Sequence, residues 1–139
     1  MKPTLIIDCS ITMAWCFADE GDAATSEVQD RLADEAALVP PHWFLEVANV
    51  LAMAEKRQRI SAADSIQFVR LLGALDIQSD DEASGRVFEH VLPLCRSQGL
   101  TSYDAAYLDL ALRRQLPLAS LDDDLRRAAA NLGVEVLGK

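Results

Sequence analysis

Hydrophobic and polar positions along this chain follow two rhythms. Thr4 to Ile7 is a run of apolar or β-branched residues that climbs to a single carboxylate, Asp8. Such a run marks a strand buried on both faces. Ser10 to Phe17 is apolar, carries two aromatics and fits a short helix or turn. Asp22 to Ala36 reads as an acidic amphipathic helix with Val28, Leu32 and Ala36 on one stripe. Leu38 and Val39 allow a second strand. Pro40-Pro41 then opens a helix from about His42 to Arg57, since proline suits a first helical turn. Ser61 can cap the next helix, which turns Ile66, Val69 and Leu72 or Gly73 inward. A third strand fits Asp76 to Gln78. Ser79 with the three acids behind it predicts a helix start, continued to about Arg96 with a disturbance at Pro93. Gly99 ends that segment, Thr101 or Ser102 caps a helix to Gln115, and Pro117 breaks it. Leu118 to Leu121 reads as a strand, Asp122 to Leu132 as a helix closed by Gly133, and Val134 to Leu137 as a last strand. Strands alternating with helices predict an α/β fold with a mainly parallel sheet.

Length and composition narrow the picture. At 139 residues, with no repeat, linker or low-complexity tract, residues 1–139 are expected to form one domain. The most apolar stretch, Trp43 to Ala54, is interrupted by Glu46 and Asn49 and is too short to span a bilayer. No signal peptide is readable, and a cytoplasmic location is expected. Cys9, Cys16 and Cys95 are odd in number and lack metal-type spacing, which favours free thiols over disulfides or zinc. The net charge is −9, and residues 1–54 hold only Lys2 and Arg31 against nine acids. Such a surface repels nucleic acid at long range and suits a cation or a basic protein partner.

Four acids stand where solvation explains them poorly. Asp8 ends the first strand. Glu46 shares one polar strip with Asn49 in WFLEVANVLAMA, a helix otherwise apolar and so expected to be buried nearly all round. Asp104 opens the helix in LTSYDAAYLDLAL, and Asp122 ends the strand LASL. In a parallel α/β sheet, strand carboxyl ends and helix amino ends share one edge, so topology gathers all four there. Carboxylates so gathered repel each other, and either their pKa values rise or a cation is held among them. Oxygen ligands without His or Cys suit Mg²⁺ or Mn²⁺, ions that assist phosphoryl chemistry.

TLIIDCSITMAW, PPHWFLEVANVL, LTSYDAAYLDLAL and LPLASLDDDL, in that order and spacing, resemble the PIN domain family. The nearest likeness is to VapC-type toxin ribonucleases of prokaryotic toxin–antitoxin pairs, and it covers essentially the whole chain. The resemblance implies a three-layer α/β/α fold and Mg²⁺- or Mn²⁺-dependent endoribonuclease activity by metal-activated water, leaving a 5′-phosphate and a 3′-hydroxyl. It carries Asp8, Glu46, Asp104 and Asp122 over as catalytic, metal-holding acids, with Ser10, Ser120 and Asp124 in support. It also implies an RNA substrate, an antitoxin whose basic tail covers the acidic site, and a homodimer through helices near residues 42–75. Cys9 and His42 depart from the usual pattern.

Plainer readings stand beside these. Asp104 also fits a capping-box partner of Thr101, and Asp122 a simple cap. His42 and Glu46, four apart, could share a metal, although a lone histidine at a helix start is more often structural. Asp109, about 140° round the helix from Asp104, reads as surface. Arg113, Arg114, Arg126 and Arg127 could contact phosphate, with solvated surface as their default. Asp8-Cys9-Ser10-Ile11-Thr12 also resembles the opening of haloacid-dehalogenase phosphatases, with Asp8 as nucleophile and Ser10 in place of the second aspartate. A non-catalytic acidic module docking a basic partner is the remaining alternative.

Overall fold

The first apolar run becomes β1 (Pro3–Ile7) and takes the middle of the sheet, where Leu5, Ile6 and Ile7 are fully buried. The computed structural model describes residues Met1–Lys139. Four further strands join it: β2 (Ala36–Val39), β3 (Ile77–Ser79), β4 (Leu118–Ala119) and β5 (Val136–Leu137). Their order is β3-β2-β1-β4-β5, and every pairing is parallel, with Ile6 beside Leu38 on one side and Leu118 on the other. The expected mainly parallel sheet is therefore wholly parallel.

Helices fill each crossover. They are α1 (Cys9–Cys16), α2 (Ala23–Arg31), α3 (His42–Lys56), α4 (Ala62–Gly73), α5 (Leu92–Gln98), α6 (Ser102–Arg114) and α7 (Asp123–Asn131). The chain builds outward from β1 through β2 to β3, then crosses back to β4 and continues outward to β5. Because parallel crossovers keep one hand, reversing the direction of travel places the two sets of helices on opposite faces. The reversal lies between β1 and β4, and the crevice outside their carboxyl ends is where such sheets bind ligands. No helix is long and apolar enough to cross a membrane.

Several elements differ from the sequence reading. The second helix stops at Arg31, because Ala36 is drawn into β2 beside Pro3; Asp22 and Thr25 form a reciprocal capping box at its start. The helix expected from Ser79 is instead a 3₁₀ turn at Ala83–Arg86 and a π turn at Val87–Val91, followed by α5. Asp80 cannot serve as a first-turn acid there, because it is buried against Arg113. Pro93 falls in the first turn of α5, where its missing N–H costs nothing.

Two helical faces are also reassigned. On α3, Trp43, Val47, Leu51 and Ala54 form the buried stripe, while Phe44, Leu45 and Met53 face outward, so the helix is not buried all round. On α4, Ser65 and Phe68 are buried, whereas Ile66 and Val69 are exposed rather than inward. The three cysteines are free and only half-buried.

Candidate active site

Asp8 follows β1 directly and caps α1, its Oδ1 accepting from the Ile11 N–H at 3.0 Å. It is only 4% exposed. Two serine hydroxyls meet it, Ser10 donating to Oδ1 at 2.6 Å and Ser120 to Oδ2 at 2.5 Å. The same hydroxyls accept from the next strand's end: Ser10 from the Leu121 N–H at 2.8 Å, and Ser120 from the Asp122 N–H at 3.0 Å. This web ties the carboxyl ends of β1 and β4 together at the switch point. Gly138, at φ +106°, completes the floor; a Cβ there would stand 2.8 Å from Ile11 Cδ1. Arg126 closes the web from α7, donating to the carbonyls of Ser120 and Leu137, so it is a structural clamp rather than free surface.

The sheet edge brings the four predicted acids into one cavity. Asp8, Glu46, Asp104 and Asp122 all line it, together with Ser10, Cys9, Met13, Val50, Glu20 and Tyr107. Glu46 comes from the second turn of α3 and accepts from the Tyr107 hydroxyl at 2.6 Å. Asp122 caps α7 by accepting from the Leu125 N–H at 2.8 Å, so the capping role and a place in the cavity coexist. Thr101 caps α6 through the Asp104 N–H at 3.2 Å, but no reciprocal bond runs back from the Asp104 carboxylate. That carboxylate is left to the cavity. Asp124 lies outside it, exposed and paired with Arg127 at 3.0 Å.

The charges register this crowding. Burial raises the Asp8 carboxyl above its ordinary range, opposed by its hydroxyl and N–H donors, with Glu46 adding to the rise. Asp104, without such donors, is pushed up to about 6, first by burial and then by Asp122, Asp8 and Glu46. The Cys9 thiol is pushed up to about 12, chiefly by burial and then by Glu46 and Asp8, so it is a neutral packing group. Tyr107 lies far above the usual phenol range, again by burial first and then by its bond to Glu46.

A raised carboxyl stabilises the folded chain while protonated and loses that contribution as pH climbs from the unfolded to the folded value. For Asp104 the window runs from 3.8 to about 6. Asp104→Asn is therefore expected to raise the melting temperature at pH 8 and to leave it unchanged near pH 3.5. Melts showing no larger gain at pH 8 than at pH 3.5 contradict this.

The donor set consists of hard carboxylate oxygens, which suit Mg²⁺ or Mn²⁺. No three His, Cys, Asp or Glu side chains stand close enough to chelate one ion by themselves. That spacing still fits a magnesium-type ion, which keeps several waters and takes one or two carboxylates. His42 does not complete a chelate either: its Nε2 is 3.0 Å from the Tyr103 carbonyl and 3.6 Å from Glu46 Oε1.

Sequence reasoning overlooked two polar lining residues. Tyr107 sits three positions after Asp104, on the same side of α6, and that spacing was its available signal. Glu20 reaches the cavity from a 3₁₀ turn and is held by Arg59 at 2.8 Å, which no local pattern announces. Conversely, Asp109 is buried rather than on the surface. Arg86 clasps it through two bonds of 2.8 and 2.9 Å, the 83–91 segment having covered that side of α6.

Comparison with known proteins follows the same lines. A family model described as the PIN domain matches residues 5–131. No curated protein matches the chain in sequence. Among solved structures it is similar to PAE2754 from Pyrobaculum aerophilum, with a TM-score of 0.71 at 19% identity over 96% of this chain and 89% of that one. It is also similar to VapC20 from Mycobacterium tuberculosis, a sarcin–ricin-loop-cleaving toxin, with a TM-score of 0.60 at 14% identity over 90% and 95%. A toxin–antitoxin complex from Klebsiella pneumoniae contains a chain with a TM-score of 0.61 at 14% identity over 94% and 93%. At these identities the likeness is one of fold.

Proposed function

The chain belongs to the PIN domain family, and from that premise we propose that it is a divalent-metal-dependent endoribonuclease, the toxin of a toxin–antitoxin pair. The observation that carries this reading is the convergence of Asp8, Glu46, Asp104 and Asp122 on one cavity at the switch point of the sheet. A surface of net charge −9 gains nothing for RNA from this acidic edge unless a cation neutralises it.

Mg²⁺ or Mn²⁺ would be held among the four acids, by one or two of their carboxylates directly and by the others through its waters. When bound, such an ion neutralises phosphate charge and supplies a nucleophilic hydroxide from water at neutral pH. The chain's own residues do the rest. Ser10 and Ser120 hold Asp8 in one rotamer, Arg126 fixes the β4 end that carries Ser120, and the buried Met13 with the half-buried Cys9 excludes bulk water from one wall. Asp124, outside the cavity, is at most an accessory acid. Ser10, which a dehalogenase-type phosphatase would need to be an aspartate, instead donates to Asp8.

Purified protein is expected to cut single-stranded RNA in Mg²⁺ or Mn²⁺ and to stop on addition of EDTA. Absence of cleavage under every metal condition, or cleavage indifferent to EDTA, overturns the proposal; equal cutting of single-stranded DNA overturns its RNA part.

The partners proposed are an antitoxin whose basic tail enters the acidic cavity and a second copy of the chain, both in the cytoplasm. Support for the dimer comes from two successive helices that expose Phe44, Leu45, Met53, Ile66, Val69 and Leu71, more apolar surface than isolated outward residues require. Leu45, at 75% exposure, tests it: Leu45→Asp is expected to shift light-scattering mass from dimer to monomer with an unchanged circular dichroism spectrum. Equal masses for both proteins rule this surface out.

A further inference from the structure

The cavity acids differ in how they are held. Asp8 receives two hydroxyls and an N–H, Asp122 one N–H, and Glu20 a guanidinium. Glu46 receives one buried phenol. Its side chain has three rotatable bonds and projects from a helix whose outer face is open, so by itself it would sample several rotamers. Tyr107 cannot: it is 1% exposed, lies within the core, and packs edge-on against the His42 ring at 5.2 Å. Its hydroxyl donates to Glu46 Oε1, and His42 Nε2 stands 3.6 Å from that same oxygen. Only the phenol bonds Oε1, because the His42 Nε2–H is given to the Tyr103 carbonyl at 3.0 Å, and Oε2 has no hydrogen-bond partner in the protein.

We propose that Tyr107 is a positioning residue for divalent-cation binding: its hydroxyl turns Glu46 Oε1 toward α6 and leaves Oε2 free to ligate. This rests on the reading of the cavity as a divalent-cation site. Ser10 and Ser120 likewise fix the Asp8 carboxylate, there through both oxygens, and such neutral donors do not compete with a cation for the carboxylate as a charged side chain would. Hydrogen-bond partners of metal ligands typically contribute 10–100-fold in metal affinity. A tyrosine that merely satisfies its own hydroxyl in the core makes no such contribution. The two roles therefore predict different binding constants.

Calorimetric titration of Mn²⁺ into metal-free protein separates them, because it reads affinity and not turnover. The wild type is expected to bind Mn²⁺, and Tyr107→Phe, which keeps the ring against His42, to bind it about 10–100-fold more weakly. Glu46→Gln also weakens binding, and adding Tyr107→Phe to it is expected to cost little more, since the phenol acts through Glu46. Glu46→Asp, which keeps the charge but withdraws it from the phenol by one methylene, is expected to lose affinity as well. Wild-type affinity in Tyr107→Phe or in Glu46→Asp, or a full additive loss in the double variant, overturns the proposal. A lower melting temperature in Tyr107→Phe with unchanged Mn²⁺ affinity assigns the tyrosine to packing alone. Failure of the wild type to bind Mn²⁺ overturns the cation reading itself, and the role of Tyr107 with it.

Discussion

Asp8→Asn is expected to abolish metal-dependent RNA cleavage while leaving the fold as stable as before or more so. Asp8 is the acid at the junction of β1 and β4, the most buried of the four, and the one fixed by three donors. Asparagine preserves its size, its cap on α1 and the Oδ1 contacts with Ser10 and Ile11, but removes the charge a cation would require. Losing a single preorganised electrostatic group costs on the order of 10²–10³-fold in turnover, and a central ligand is expected to exceed that. Stability moves the other way. Because burial raises the folded-state pKa, the ionised carboxylate at neutral pH works against folding, and the contribution present below the unfolded pKa has already been lost there. Single-turnover cleavage measured beside thermal melts at pH 7 reads both halves. Residual cleavage within tenfold of wild type, or a clear loss of melting temperature, contradicts the assignment of Asp8.

Arg113→Ala is expected to produce a large loss of stability although it lies outside the cavity. The Arg113 side chain is 13% exposed and meets Asp80, 3% exposed, through bonds of 2.7 and 3.2 Å, with Glu82 at 3.1 Å on the rim. Removing one partner of such a pair strands the other charge in the interior, typically at a cost of about 3–5 kcal/mol. The pair itself is not strongly favourable, since Arg113 Nε is buried without a partner. Asp80→Ala combined with Arg113→Ala is therefore expected to recover part of the loss. Urea denaturation of the wild type and both variants decides it. A single variant within about 1 kcal/mol of wild type would show that water reaches Asp80 freely.

These two residues lie on different sides of what local pattern can convey. Asp8 was readable because a buried-strand run ending in one acid has few meanings, and because order along the chain places the starts of α3 and α6 at the same edge. Arg113 was not. As an arginine near a helix end it fits solvated surface, and only the irregular 79–91 segment, folded over α6, turns it and Asp109 inward. Tyr107 was legible by its spacing from Asp104 but not by its partner, which lies 61 positions earlier in the chain. On α4, Ile66 and Val69 recur with the right period on the wrong side. Periodicity reports that a helix has an apolar stripe, not which of two stripes meets the sheet.

The sequence alone determined the alternation of strands and helices, the parallel sheet that follows from it, and four of the five acids at its carboxyl edge. Those follow from residue order, β-branched runs and the single hand of parallel crossovers, all of which act locally or topologically. Tertiary structure decided which apolar faces stay open on α3 and α4, which charges are buried, and which hydroxyl holds each carboxylate. These depend on the phase with which one element packs on another, and that phase is set by the whole core at once.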